Sequence, residues 1–235
     1  MILANVGSIP EKRTGIVPRG AELGVFCSEY GTDRIRREGP GGNRRPPVRV
    51  IVGITGASGS IYGLRLLERL AGRPEAEVHL ILSRAGEKTL FLETGKSAAD
   101  ARKMAHFWYP PEDIGCRLAS GSYPVEAMVI APCSIHTMSA IAQGISSNLM
   151  VRAADVALKE KRRLILLVRE SPFHLGHLRN MTALAEMGAI IAPPIPGFYA
   201  RPQSVMDLVD HSLDRALDLL GLPDPAARRW EGSAP

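Results

Sequence analysis

The run Gly53-Ile54-Thr55-Gly56-Ala57-Ser58-Gly59-Ser60 spaces its glycines as Gly-x-x-Gly-x-x-Gly. Small residues let a backbone approach a phosphate closely, and a helix starting there would offer free N–H groups and the positive end of its dipole. The spacing is not the Gly-x-Gly-x-x-Gly of NAD enzymes, and no Lys follows to make a P-loop. A tight turn without a ligand is the alternative, but a nucleotide phosphate accounts better for the run. Arg169-Glu170 comes directly after the apolar stretch Leu164–Val168. A charged pair at the end of a buried strand suggests a site, where the bland reading would be a structural ion pair. Arg152 and Lys159 stand seven residues apart, so two helical turns put them on one face, either a phosphate-binding face or a solvated one.

Pro132-Cys133-Ser134-Ile135-His136-Thr137 follows another apolar stretch and opens a helix, where hydroxyls and amides suit a ring or phosphate edge. Ser83 also ends a predicted strand, and a helix N-cap explains it equally well. Cys133 has no base placed to activate it and is expected to be structural. His174-x-x-His177 has metal-ligand spacing but no third ligand, so no metal is expected. The sequon at Asn180 carries no meaning in a cytosolic protein, and Trp108-Tyr109 is expected in core or loop packing.

These segments need a scaffold that brings strand ends together. Val48–Thr55 is a continuous β-branched apolar run, as expected of a parallel strand covered on both faces. Further strands are predicted at Val78–Leu82, Val125–Ala131, Leu164–Val168 and Ala189–Ala192. Helical spacing covers Ile61–Leu70, Ala85–Glu93, Ser134–Gln143, Ser147–Lys161, Leu175–Met187 and Ser204–Leu220, the last with capping-box spacing between Ser204 and Asp207. The alternation predicts an α/β doubly wound, mainly parallel sheet with helices on both faces, flavodoxin- or Rossmann-like. Ligands in such folds lie outside the carboxyl ends of the strands.

With 45% hydrophobic and 23% charged residues, the composition is that of a globular protein. No apolar run reaches the length of a bilayer span, no signal pattern follows Met1, and no membrane association is expected. Three cysteines without metal spacing fit a reduced, cytoplasmic location. The formal charge of +5 sits mostly in residues 1–47, which hold eight Lys/Arg and five Asp/Glu, leaving 21 against 19 in the remainder. Residues 1–47 have Gly and Pro without periodicity and are expected to form a disordered basic extension rather than a nucleic-acid arm. Residues 48–235 form the single ligand-binding domain; a start at Val48 would give a chain opening directly with a strand.

Thr55-Gly56-Ala57-Ser58-Gly59, Ala131-Pro132-Cys133-Ser134, Arg152 through Glu160, Arg169-Glu170-Ser171-Pro172 and Gly197-Phe198-Tyr199-x-Arg201-Pro202-Gln203-Ser204 follow one another in an order that resembles the UbiX-type flavin prenyltransferases. The likeness runs from about residue 48 to Trp230, and the extension has no counterpart. It implies a metal-independent enzyme that attaches a dimethylallyl unit from dimethylallyl phosphate to reduced FMN at N5 and C6, making prenylated FMN for a UbiD-type decarboxylase. It implies a flavin site at Gly56, Ala57, Ser58, Ser83, Ser134, Ile135, His136, Thr137 and Arg169. The same likeness assigns dimethylallyl phosphate to Tyr199, Arg215, Arg152 and Lys159. Catalytic roles fall to Ser58, Glu93, Lys159 and Glu170, with Ser58 near N5 and Glu170 transferring a proton. It also implies a homo-oligomer with sites at subunit contacts. The competing readings are an FMN-dependent decarboxylase of related fold and a non-catalytic flavin carrier.

Overall fold

The computed structural model describes residues 46–230 and 232, so nearly all of the proposed extension lies outside the described residues. Six parallel strands form one sheet: β1 (Val48–Ile54), β2 (Ala76–Leu82), β3 (Phe107–Tyr109), β4 (Ala127–Cys133), β5 (Arg163–Val168) and β6 (Ile190–Ile191), in the order β3-β2-β1-β4-β5-β6. The helices are α1 (Ser60–Ala71), α2 (Arg84–Thr94), α3 (Ala98–Lys103), α4 (Ile135–Ala142), α5 (Leu149–Lys159), α6 (Leu175–Glu186) and α7 (Val205–Leu220). No described helix is long and apolar enough to cross a membrane.

The two-residue period of a strand divides the core. Val50, Val52 and Ile54 of β1, with Val78, Leu80 and Leu82 of β2, pack under Leu66, Leu67 and Leu70 of α1 and Leu213, Leu217 and Leu220 of α7. Ile51, Ile81, Met128, Ile130, Leu164 and Leu166 face the other way, onto Met138 and Ile141 of α4, Met150 and Ala154 of α5 and Leu184 of α6. Both faces are therefore covered, which is why β1, β4 and β5 are almost unbroken apolar runs. Each fully buried Leu contributes about 2 kcal/mol through the area it removes from water.

Two elements go beyond the sequence expectation. β3 is a sixth strand, only three residues long, pairing His79 with Phe107 and Ile81 with Tyr109 at the sheet edge. Trp108 and Tyr109 thus belong to a strand, with the Arg102 guanidinium 4.2 Å above the Trp108 ring. The six-residue α3 opens with a reciprocal capping box between Ser97 and Asp100. Strand order reverses direction between β1 and β4, and such a switch point opens a crevice at the carboxyl ends.

Candidate active site

At that crevice three loops are tied together by backbone and side-chain hydrogen bonds. Thr55, 1% exposed at the end of β1, donates its hydroxyl to the Pro132 carbonyl (2.7 Å) and accepts the Ser134 amide (2.9 Å). The Arg169 amide donates to the Cys133 carbonyl at 3.1 Å. The ends of β1, β4 and β5 are thereby held edge to edge. Between them and the turn after β6 lies a cavity of about 670 Å3, lined by Gly56, Ala57, Ser58, Ser134, Ile135, His136, Arg169 and Glu170, with Tyr62, Phe173 and Pro193-Pro194-Ile195 along its apolar side. That is within the range of roughly 300–1,000 Å3 of small-molecule sites.

The loop after β1 is shaped by two glycines. Gly59 has φ 100°, in the left-handed region, and the Arg169 side chain packs on its Cα; a Cβ there would fall 2.8 Å from the Arg169 Cδ. Gly56 lies against α2, where a Cβ would meet the Ala85 Cβ at 2.5 Å. The Arg169 guanidinium stands 5.6 Å from the Tyr62 ring centroid and makes no ion pair among the described residues. A carboxylate bonded to Arg169 would compete with a ligand anion, and none stands there among the described residues.

The sequence suggested that α1 would present free amides to a phosphate. Instead its first donors are taken. Gly59, lacking a side chain, cannot cap the helix, and Glu93 from the last turn of α2 does so in its place. One Glu93 oxygen accepts the Gly59 amide (2.9 Å), the Ser60 amide (2.8 Å) and the Ser60 hydroxyl (2.7 Å). Burial raises the Glu93 carboxyl, but hydrogen bonds from the Ser60 and Ser58 hydroxyls and from the two amides outweigh it and hold the group below the ordinary carboxylate range. Ser58 and Glu93, both candidate catalytic residues, are thus neighbours, with Ser58 on the cavity wall and Glu93 behind it.

Glu170 lies on the cavity wall and, among the described residues, its carboxylate accepts only the Ser171 amide, at 2.9 Å. Ser134 is the N-cap of α4, accepting the Thr137 amide, while its hydroxyl and that of Thr137 are 3.2 Å apart. Cys133 is fully buried, and burial pushes its thiol up to about 12, which leaves it inert as a nucleophile.

Six of the other candidate residues lie away from this wall. Ser83 is the N-cap of α2 and accepts the Gly86 amide. Thr137 sits one helical turn in from the cavity and is 8% exposed. Arg152 pairs with Asp155 and donates to the Ala119 carbonyl at 3.2 Å, and Lys159 pairs with Glu160. Tyr199 belongs to a short 3-10 turn, Phe198–Ala200, and Arg215 to α7. The sequence reading missed Thr55 as a bridge and Tyr62, Phe173 and Pro193-Pro194 as lining. The Pro pair begins two residues after the end of β6, so the strand-end rule applied to that strand would have found it.

The arrangement fits a flavin mononucleotide: a cavity of small-molecule size lined by small residues, hydroxyls at one helix start, a guanidinium without an ion pair among the described residues, and apolar side chains for a ring. No group of three or more His, Cys, Asp or Glu that could hold a metal occurs among the described residues.

Comparison with known proteins points the same way. Residues 41–216 match the family described as Flavoprotein. Over 187 residues the chain is 48% identical to the flavin prenyltransferase UbiX of Escherichia coli strain K12, covering 79% of this chain and 99% of that protein. A dodecameric FMN-dependent UbiX-like decarboxylase from Escherichia coli O157:H7 superposes with a TM-score of 0.77 at 44% identity, covering 79% of this chain and all of that one. AnUbiX, solved in complex with FMN and dimethylallyl pyrophosphate, superposes with a TM-score of 0.77 at 39% identity, covering 80% of this chain and all of that one.

Proposed function

This chain belongs to the UbiX-type family of flavin prenyltransferases, and we propose that it joins the dimethylallyl group of dimethylallyl phosphate to reduced FMN, yielding the prenylated FMN that a UbiD-type decarboxylase uses. The observation that carries the reading is the strand-end cavity in which Arg169 and Glu170 stand side by side, neither with an ion-pair partner among the described residues. Reduced FMN supplies the nucleophilic N5 and C6 positions.

The loop Gly56-Ala57-Ser58, the start of α4 at Ser134-Ile135-His136 and the Arg169 guanidinium bind and orient the flavin. Arg's planar fork suits phosphate oxygens, and its position over Gly59 is fixed by packing. Ser58, steadied by Glu93, holds the flavin edge. When the allylic C–O bond breaks, charge grows on the departing phosphate, and preorganised cations stabilise it by a few kcal/mol each. Arg152, Lys159, Arg215 and Tyr199 serve there, and Glu170 exchanges a proton with the phosphate.

In one chain those phosphate-binding groups lie on α5, on α7 and in the turn at Phe198–Ala200, away from the flavin cavity. We infer that neighbouring copies of the chain complete each site. Apolar surface at Ile195, Phe198 and Val205, each more than 70% exposed, supports packing between copies. The thiol of Cys133 is buried and free, which suits a cytoplasmic location.

Incubating the protein anaerobically with reduced FMN and dimethylallyl phosphate, then weighing the released flavin by mass spectrometry, tests the assignment. The expected product is FMN enlarged by one five-carbon unit. Unchanged FMN, together with carbon dioxide released from an aromatic acid without any partner protein, would instead favour a decarboxylase.

A further inference from the structure

His211 lies on α7 one helical turn before Arg215, and its ring touches Tyr199. The two rings meet edge to face, centroids 5.3 Å apart at 77°, and both rest on Gly197, where a Cβ would fall 2.6 Å from the Tyr199 Cε1 and 3.0 Å from the His211 Cε1. The start of α7 is pinned by a capping box in which Ser204 accepts the Asp207 amide at 3.1 Å and Asp207 accepts the Ser204 amide at 3.1 Å. His211 and Arg215 are therefore set in register with the turn that carries Tyr199.

The hydrogen bonds of His211 fix which nitrogen bears its proton. Nδ1 accepts the Gly197 amide at 3.2 Å, so it presents a lone pair. The neutral ring then carries its proton on Nε2, which lies 3.1 Å from the Tyr199 hydroxyl oxygen. With Nε2–H donating to that oxygen, the Tyr199 O–H is left as a donor for something else.

We propose that His211 is a positioning residue for the phosphate end of the site, acting through Tyr199: it holds the phenol oxygen so that the phenol O–H donates to a phosphate oxygen of the allylic substrate beside Arg215. This rests on the assignment of Tyr199 to the dimethylallyl phosphate site. His211 is absent from the wall of the flavin cavity, so it should not govern FMN affinity.

The test compares His211→Phe, His211→Gln, Tyr199→Phe and the His211→Phe/Tyr199→Phe double variant, measuring FMN affinity and steady-state kcat and KM for dimethylallyl phosphate. His211→Phe is expected to raise KM about tenfold, the scale of one lost hydrogen bond, with FMN affinity unchanged. His211→Gln, which keeps an N–H donor at the end of the side chain, should recover most of the loss. The double variant should be no worse than Tyr199→Phe alone. Impairment by Tyr199→Phe with a wild-type KM in His211→Phe, or additive losses in the double variant, overturns the proposal alone. A wild-type Tyr199→Phe overturns the phosphate assignment and this proposal with it.

Discussion

The Arg169 side chain lies on the Cα of Gly59, close enough that a Cβ there would fall 2.8 Å from Cδ and 3.0 Å from Cζ. A residue from the end of β5 thus rests on the loop that leaves β1, and Gly59 serves it twice, by its left-handed φ and by its missing side chain.

Gly59→Ala is therefore expected to do more than strain the backbone. The left-handed conformation costs about 1–2 kcal/mol for a residue with a Cβ, and displacement of Arg169 should weaken FMN binding at least tenfold. Gly95 is the control, since it also has a left-handed φ, 67°, but among the described residues nothing lies within 4 Å of the point where a Cβ would stand. Gly95→Ala should lower the melting temperature comparably and leave FMN affinity alone. Equal FMN affinities in the two variants would show that Gly59 answers only to backbone strain.

Glu93→Ala removes the acceptor for two amides and a hydroxyl at the start of α1. Loss of a cap costs about 1 kcal/mol, and Ser58 loses the neighbour that steadies it. A modest fall in the denaturation midpoint with a larger fall in prenylation rate is expected. A fall in stability with full activity retained would reduce Glu93 to a helix cap.

How much of this was legible follows from where the information resides. The strand ends could be read because a parallel strand buried on both faces leaves an unbroken apolar run, and the residue after it is at the carboxyl end. β3 could not be, because three residues give no period and its partner β2 decides its state. The Glu93 cap joins the end of α2 to the start of α1, and only the packing of those two helices reveals it. An acid in the last turn of a helix is unfavourable to its own dipole, which was the one hint in the sequence. Arg152 and Lys159 share one face of α5 and were visible by their spacing, whereas Tyr199 and Arg215 were marked by family resemblance alone, and a single chain keeps these three elements apart.

Acid sensitivity should come from a network on β2 and the sheet edge, apart from the flavin cavity. Burial lowers the His79 imidazole, although Glu77 opposes this, so the ring stays neutral in the fold. Its Nε2 lies 3.0 Å from Glu77, and its Nδ1 3.1 Å from the Tyr109 hydroxyl, which accepts from the Arg117 Nε at 2.8 Å. The bond to His79, with Arg49 at 2.8 Å outweighing burial, holds the Glu77 carboxyl down to about 2. Both groups have folded values below their unfolded ones, so the unfolded chain binds more protons. Stability is complete above pH 6.5, the unfolded His value, and falls as the pH drops, first through the His window and then from 4.5 towards 2. Glu77 is partly solvated, so its share is on the order of 1–2 kcal/mol. Urea midpoints from pH 7 to pH 3 should flatten in Glu77→Gln below pH 4.5; an unchanged slope there would place the acid sensitivity elsewhere.

Glu170 offers the sharpest separation of chemistry from architecture. A carboxylate kept for stability would be bonded to a cation, yet among the described residues Glu170 accepts only its neighbour's amide and stands exposed on the cavity wall. Glu170→Gln should therefore leave the melting temperature and FMN affinity unchanged. If the group carries a proton to or from the departing phosphate, the single-turnover rate of prenylation should fall about a hundredfold or more, the usual scale of acid–base help. Lys159→Ala acts on another quantity. It removes the proposed phosphate contact and the pairing with Glu160, so it should raise KM for dimethylallyl phosphate as well as lower the rate. A Glu170→Gln variant that is stable and turns over at the wild-type rate would remove Glu170 from the proton path, whereas one that melts early would make it a structural anion engaged by another copy of the chain.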